Sequence, residues 1–109
     1  MEVNDAVVAL GAISQPSRLN AFRLLVRHEP HGLPAGELAR ALAIPQNTLS
    51  SHLSILRRAG LVSQNREGRR IIYRADLETM GSLVAYLLED CCDGEICLPE
   101  TLTGGRLCD

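Results

Sequence analysis

Apolar residues recur along the first part of the chain at the spacing of helices. The first stripe has steps of three and four residues and consists of Val3, Val7, Leu10 and Ile13. This spacing places the four side chains on one face of a first helix. Ser14-Gln15-Pro16 follows, and a polar cap before a proline in the first turn is typical of a helix start. The residues predicted to be buried on this second helix are Leu19, Phe22 and Val26.

Two further helices are predicted in the middle of the chain. A third helix is expected over about residues 35–43 and a fourth over about residues 46–59, with a turn at Ile44-Pro45 between them. Gly60 ends the fourth helix. The residues predicted to face inward are Leu38 and Leu42 on the third helix, and Leu49, Leu53 and Leu56 on the fourth.

The period of the apolar pattern changes after the fourth helix. Residues 61–65 and 69–74 have the composition and alternation of two strands. Gly68 lies between them, where a hairpin turn needs a positive φ. Asp76 then caps a last helix over about residues 77–90. These elements predict a mainly α fold with a β-hairpin, an α+β winged helix-turn-helix in which the hairpin is the wing and the fourth helix enters a DNA groove.

Charge is strongly segregated along the chain. Residues 1–37 carry a net charge of −1, residues 38–74 carry +6, and residues 75–109 carry −7. All eleven basic residues are arginine. Arginine holds phosphates with two parallel hydrogen bonds, although a GC-rich coding sequence gives the same bias without any function. The positive segment contains the predicted helix-turn-helix and wing, which favours a nucleic-acid partner.

The outward side of the fourth helix is predicted to be polar. Its short hydrogen-bonding side chains are Gln46, Asn47, Thr48, Ser50, Ser51 and His52. Such groups bind base edges and phosphates, so we expect them to contact DNA. The electrostatic attraction is expected from Arg57, Arg58, Arg66, Arg69, Arg70 and Arg74. The alternatives are a merely solvated surface, first-turn caps at Asn47 and Thr48, and a bystander at His52.

Several segments of the chain carry a family resemblance. They are Ser17-Arg18-Leu19, Leu38-Ala39-Arg40-Ala41-Leu42, residues 50–62 and residues 66–74. In these segments the chain resembles the ArsR/SmtB family of metal-responsive bacterial repressors, and the similarity extends over about residues 5–90. The resemblance implies a homodimer that binds an inverted repeat of double-stranded operator DNA. It also implies release from DNA when a metal or metalloid binds.

The last predicted helix also carries an apolar stripe, which ends at Cys91. We call this stripe and the stripe of the first helix the terminal stripes. Together they are expected to form the symmetric dimer interface that the resemblance implies. Their interface residues are Val3, Val7, Leu10, Leu77, Met80, Val84 and Leu87. The alternative is that both stripes pack within one subunit.

All the cysteines lie in the last 19 residues, at Cys91, Cys92, Cys97 and Cys108. Three thiolates without a nearby imidazole favour a soft ion, and trivalent arsenic or antimony is satisfied by three sulfurs. The pair followed by a third cysteine resembles a subgroup of arsenic repressors. This implies Cys91, Cys92 and Cys97 as the ligands of As(III) or Sb(III), the expected inducer. Cys108 could be a fourth ligand for cadmium, lead or zinc, and inert thiols or a switch by thiol oxidation are alternatives.

Two metal sites found elsewhere in the family are not matched by this sequence. The start of the third helix, residues 34–37, lacks the cysteine pair of many arsenic-responsive members. The last helix has no histidine, which zinc sensors of the family use there. The cysteines after the last helix are therefore the remaining candidates for the inducer site.

The length of 109 residues is that of one domain. We expect residues 1–90 to form the DNA-binding and dimerisation domain and residues 91–109 to form a cysteine-containing, metalloid-binding tail. No apolar run is long enough to span a membrane, and the first residues lack a basic signal region, so a cytoplasmic location is expected. A thiol enzyme is disfavoured because a Cys-x-x-Cys motif and a cofactor loop are both missing.

Overall fold

The computed structural model describes residues 1–89 as five helices and one three-stranded antiparallel sheet. In chain order the elements are α1 (Val3–Ile13), α2 (Pro16–Arg27), β1 (Leu33–Pro34), α3 (Ala35–Leu42), α4 (Gln46–Arg58), β2 (Val62–Glu67), β3 (Arg70–Ala75) and α5 (Leu77–Leu88). The predicted mainly α winged helix-turn-helix is confirmed, with α3 and α4 as the helix-turn-helix and β2 and β3 as the wing. Within residues 1–89, the helices are too short or too polar to cross a lipid bilayer.

Leucines of the central helices form the core. The fully buried large side chains of the described part are Leu25, Leu38, Leu49, Leu53, Leu56 and Leu61. The inward face predicted for α4 is therefore confirmed, because Leu49, Leu53 and Leu56 follow one another at steps of four and three. Full burial of one leucine stabilises the fold by about 1.5–3 kcal/mol. This core fixes the rotation of α4 and directs its polar face to solvent.

The buried face of α2 differs from the prediction. Phe22 is buried as expected, but Leu19 is 42% exposed and Val26 is 39% exposed. Ala21 and Leu25 are buried in their place. Both flanks of Phe22 are apolar, so the periodicity could not decide which flank faces inward. Tertiary contact decides, because the small Ala21 side chain allows close approach of the neighbouring helices.

The helix α1 packs into its own subunit through alanines. Its buried residues are Ala6, Ala9 and Ala12. The stripe predicted from the larger residues points elsewhere, with Val3 59%, Val7 60% and Leu10 40% exposed. The alternative in which this stripe is buried within one subunit is therefore wrong for these three residues.

The other terminal helix, α5, shows a similar division. Leu83 is its buried residue, whereas Leu77 is 50% and Leu87 54% exposed. Met80 and Val84 are half-buried. Both terminal stripes thus leave apolar surface uncovered in the single subunit.

The sheet has the strand order β1-β3-β2. In the wing, Glu67 pairs with Arg70, so the turn consists of Gly68 and Arg69, and Gly68 has the expected positive φ of +65°. Strand β1 was not predicted, because two residues are too few for an alternating pattern. It pairs Leu33 with Tyr73. This pairing ties the base of the wing to the segment that precedes α3.

Local hydrogen bonds fix where the helices begin and end. The Gln15 side chain accepts a hydrogen bond from the Arg18 N–H at 2.8 Å, and Asp76 accepts one from the Thr79 N–H at 2.9 Å. Both predicted helix starts are therefore confirmed. Between α3 and α4 the chain turns through Ala43 in the left-handed region, at φ 56°, before the N-cap residue Pro45 leads into α4.

Candidate nucleic-acid interface

The exposed side of α4 has the polar residues that the sequence predicted. The exposed ones are Gln46, Asn47, Thr48, Ser50 and Ser51. The N-cap residue of α4 is Pro45, which provides no side-chain cap, so N–H groups at the N-terminal end of α4 are left for other acceptors. A helix of this kind can hydrogen-bond to base edges and phosphates in a major groove.

Two of these side chains also make local hydrogen bonds. The Thr48 N–H donates to Asn47 Oδ1 at 3.0 Å, and Ser51 Oγ donates to the Asn47 carbonyl at 3.5 Å. Asn47 Oδ1 thus accepts one N–H of the first turn, whereas the N-cap residue Pro45 makes no side-chain hydrogen bond. The Asn47 amide nitrogen, which these bonds do not use, is the group suited to donate to DNA.

His52 is half-buried rather than fully exposed. Its Nδ1 lies 3.4 Å from Nη1 of Arg18, at the start of α2. Arg18 Nε also donates to the Ala12 carbonyl at 2.5 Å. Sequence reasoning missed Arg18, because 34 residues separate it from His52 and no periodicity connects them.

The wing and the start of α4 enclose one groove. It has a volume of about 360 Å³, and its lining includes Gln46 and Ser50 of α4 together with Arg69 and Arg70 of the wing. Arg66 and Arg69 are exposed. The fold thus brings predicted hydrogen-bonding residues of α4 next to predicted cationic residues of the wing. A sugar-phosphate backbone could contact both sets in this groove.

Arg70 has an acidic neighbour in this groove region. Its Nη2 lies 3.4 Å from Glu37 Oε2 of α3, and the two side chains are 61% and 46% exposed. Exposed pairs of this kind contribute about 0–1 kcal/mol. Arg70 can therefore exchange Glu37 for a phosphate at small cost.

Arg74 differs from the other wing arginines. Its Nε and Nη2 donate to the two carboxylate oxygens of Glu29, at 3.2 and 2.7 Å. The hydrogen bond from Arg74 lowers the pKa of Glu29, and the same pair raises the pKa of Arg74. The expected role of Arg74 in attracting DNA is therefore not supported: its guanidinium ties the wing to the segment after α2.

Ser54 adds to the outward face of α4 a hydroxyl that was not predicted, next to the predicted Arg57 and Arg58. Arg58 Nη2 donates to Ser54 Oγ at 3.3 Å, and Arg57 is exposed beside them. Ser54 follows Ser50 and Ser51 at helical spacing, which is the signal that could have identified it.

The predicted inducer ligands Cys91, Cys92 and Cys97 lie outside the described residues, as does Cys108. Residues 1–89 contain no group of three or more histidine, cysteine, aspartate or glutamate side chains arranged to hold a metal ion. The inducer assignment thus depends on the sequence of the tail.

Comparisons with known proteins agree with this geometry. A family profile described as a helix-turn-helix domain matches residues 13–65. The transcriptional activator HlyU of Vibrio cholerae is 35% identical over 89 residues, which cover 80% of each chain. Its solved structure superposes with a TM-score of 0.64, at 35% identity, over 84% of this chain and 99% of that chain. A structure of reduced HlyU gives a TM-score of 0.59, at 33% identity, over 81% and 90%.

Two further solved structures are similar. An ArsR-like transcriptional regulator from Rhodococcus sp. RHA1 has a TM-score of 0.70 and 28% identity, over 79% of this chain and 77% of that chain. A possible transcriptional regulator for arsenical resistance has a TM-score of 0.64 and 29% identity, over 72% and 79%. These proteins are regulators of transcription rather than enzymes. With its winged helix-turn-helix and this agreement over most of the described residues, the chain belongs to the ArsR/SmtB family of DNA-binding transcriptional regulators.

Proposed function

We propose that this chain is a cytoplasmic homodimeric repressor that binds an inverted repeat in double-stranded DNA. The observation that carries the proposal is the groove in which Gln46 and Ser50 of α4 lie beside Arg69 and Arg70 of the wing. Side chains of α4 would read the base edges of a major groove, and the wing would hold the adjacent phosphates.

The uncovered terminal stripes support the homodimer. Val3 and Val7 on α1, and Leu77 and Leu87 on α5, are each at least half exposed in the single subunit. A second copy of the chain offers the same apolar residues, so a two-fold axis would cover both sets at once. Two copies of α4 related by such an axis fit half-sites that are inverted and about one helical turn apart.

The DNA interface is tested by the salt dependence of binding to a mixed-sequence duplex. Arg69→Ala should weaken binding and reduce the slope of log K against log salt by about 0.9 for each phosphate that the wing no longer neutralises. Arg27→Ala is the matched control, because Arg27 is an exposed arginine in the last turn of α2. An unchanged slope in Arg69→Ala, or an equal change in Arg27→Ala, would show that the wing does not neutralise DNA phosphates.

Repression is tested in a promoter fusion. We expect lower reporter expression when the chain is supplied, because a dimer on an operator blocks the polymerase. Increased expression would show that the chain activates, as the name of its relative HlyU states for that protein.

For the inducer we propose As(III) or Sb(III), bound by Cys91, Cys92 and Cys97. The chemistry of the donor set supports this choice, since three soft thiolates match a pyramidal thiophilic ion. The similarity to a possible regulator for arsenical resistance agrees with it. Binding at the end of the α5 stripe would disturb the dimer interface, and a coupling free energy of about 1–3 kcal/mol is enough to release DNA.

The four cysteines give a direct test of the inducer site. Replacing Cys91, Cys92 or Cys97 by Ser should leave DNA affinity intact and abolish release by arsenite, measured by a DNA-release titration. Cys108→Ser is the control and should still respond, because closing a loop through the glycine-containing tail costs more entropy than the short step from Cys92 to Cys97. Loss of the response in Cys108→Ser with its retention in Cys97→Ser would overturn the ligand assignment.

Thiol oxidation is the second candidate, and the existence of a reduced form of the relative HlyU as a distinct structure favours testing it. Two thiols of the tail would form a disulfide while hydrogen peroxide accepts two electrons and two protons and becomes two waters. Peroxide in place of arsenite in the same titration separates the two candidates. Release by zinc or cadmium alone would instead indicate a divalent metal as the inducer.

A further inference from the structure

Arg18 connects three helices at the edge of the proposed DNA interface. It lies in the first turn of α2, donates through Nε to the Ala12 carbonyl near the end of α1, and reaches His52 of α4 through Nη1. Ala12 is buried and the Arg18 side chain is half-buried, so this guanidinium is held in place rather than extended into solvent.

The contact determines the state of the His52 ring. A guanidinium has only hydrogen-bond donors. For a hydrogen bond between these groups, Nδ1 of His52, 3.4 Å from Arg18 Nη1, has to accept, and it can accept when it carries no proton. A neutral imidazole with an unprotonated Nδ1 has its proton on Nε2. His52 thus presents a hydrogen-bond donor at the far side of its ring.

The position of His52 on α4 indicates which acceptor it meets. Successive residues of a helix are rotated by about 100°, so His52 lies about 60° around the axis from the buried Leu49. Asn47 and Ser51 lie on the opposite, outermost side, where a recognition helix meets base edges. The flank of such a helix faces the backbone that borders the groove, and the Arg18 guanidinium makes this flank more favourable for an anion.

We propose that Arg18 is a positioning residue of the DNA interface, which fixes His52 in the tautomer that donates from Nε2 to a phosphodiester oxygen. The inference depends on the proposed DNA-binding function and adds a residue outside the helix-turn-helix to it. Arg18 acts through His52 and does not itself contact the phosphate.

The first test needs no DNA. In nitrogen-15 spectra of the full chain at about pH 8, above the usual range of histidine titration, His52 should show an unprotonated Nδ1 and a protonated Nε2. Arg18→Met should move both signals toward the mixture of tautomers of a free imidazole, and Arg18→Lys, which retains a donor, should restore them in part. A proton on Nδ1 in the wild-type chain would overturn the proposal, and this observation does not depend on any variant folding.

The second test compares two amides at position 52 on a duplex of about 30 base pairs, long enough for two half-sites. The amide nitrogen of His52→Gln takes the place of Nε2, whereas that of His52→Asn takes the place of Nδ1. We expect both variants to bind more weakly than the wild type, and His52→Asn to bind about tenfold more weakly than His52→Gln, which is the cost of one charge-assisted hydrogen bond. The reverse order would overturn the proposal.

The third test distinguishes positioning from direct contact. If Arg18 acts through His52, Arg18→Met should weaken binding in the wild type but not in a His52→Ala background, and the salt slope should change no further. A loss of equal size in both backgrounds would show that Arg18 contacts the phosphate itself. If the wild-type chain binds no duplex at all, the proposed function and the phosphate contact fail together, while the tautomer spectrum still decides whether Arg18 fixes the ring.

Discussion

At the scale of single residues, Arg70 and Arg74 of the wing differ in how strongly each binds its acidic neighbour. Arg74 forms two hydrogen bonds with Glu29, whose side chain is only 16% exposed. Arg70 has one longer contact with the exposed Glu37. The first pair is part of the architecture of the wing, and the second is weak enough to open when a phosphate arrives.

Glu37→Gln tests this difference. The substitution removes a negative charge from the groove and releases Arg70, so DNA affinity should rise by roughly two- to fivefold, which corresponds to one exposed ion pair of about 0.5–1 kcal/mol. The salt slope should become steeper. The measurement is a titration of a mixed-sequence duplex at several salt concentrations.

Glu2→Gln is the control for Glu37→Gln, because Glu2 is an exposed acid at the start of α1. It changes the net charge by the same amount at a different place. Equal gains in affinity for the two variants would mean that net charge, rather than release of Arg70, is responsible.

The sequence predicted some of these residues' roles but not their ion pairs. The buried leucines of α4 were predictable because their spacing is regular and, apart from Ile55, the residues between them are polar. The ion pairs of Glu29 and Glu37 were not, because 45 and 33 residues separate them from their arginines. Only the fold brings such partners together, and the same applies to Arg18 and His52.

At the scale of elements, α1 shows why an apolar pattern can be assigned to the wrong surface. The helix has a stripe of larger residues and a second stripe of alanines, and the alanines are the ones that its own subunit buries. Large apolar residues give a clearer periodic pattern in a sequence than alanines do, so the prediction followed the large residues. The predicted stripe is present, but its own subunit leaves Val3, Val7 and Leu10 uncovered and packs Ile13 against the core.

The close packing of the short strand β1 against β3 can be tested by a substitution at Gly32. Gly32, just before it, has a φ of +76°, and a Cβ there would lie under 3.0 Å from atoms of Ile72, Tyr73 and Arg74. Gly32→Ala should therefore lower the free energy of unfolding by roughly 3 kcal/mol, from left-handed strain together with overpacking. Urea unfolding measures the loss.

Gly68→Ala is the matched control for Gly32→Ala. Gly68 has a similar φ of +65°, but no atom lies within 4 Å of the added Cβ. Gly68→Ala should lower the free energy of unfolding by about 1–2 kcal/mol, from backbone strain alone. Equal losses at the two positions would show that the contact of β1 with β3 is not tight.

At the scale of the whole molecule, the terminal stripes make the oligomeric state testable. A subunit has a mass of 11.9 kDa, and light scattering at micromolar concentration should give twice this value. Val7→Glu should shift the mass toward one subunit and weaken DNA binding, because it places a charge in the apolar interface. A wild-type chain that remains a monomer would contradict the proposed dimer.

The control for the dimer test is Val26→Glu on α2. Val26 is 39% exposed but lies outside the terminal stripes. This variant adds the same charge and should remain dimeric. Dissociation of both variants would show that charge, rather than the α1 stripe, determines assembly.

The alanine face of α1 has a consequence for gene dosage. A buried carbon contributes about 0.8 kcal/mol, whereas ordering one residue of backbone costs about 1–2 kcal/mol. The helix α1 has 11 residues, and its own subunit buries the three alanines and half-buries Ile13, so we expect it to be only weakly docked in a lone subunit. In the proposed dimer a partner subunit would supply the missing burial, so ordering of α1 would follow mass action. We therefore expect promoter occupancy by the proposed dimer to rise more steeply than in proportion to the abundance of the protein.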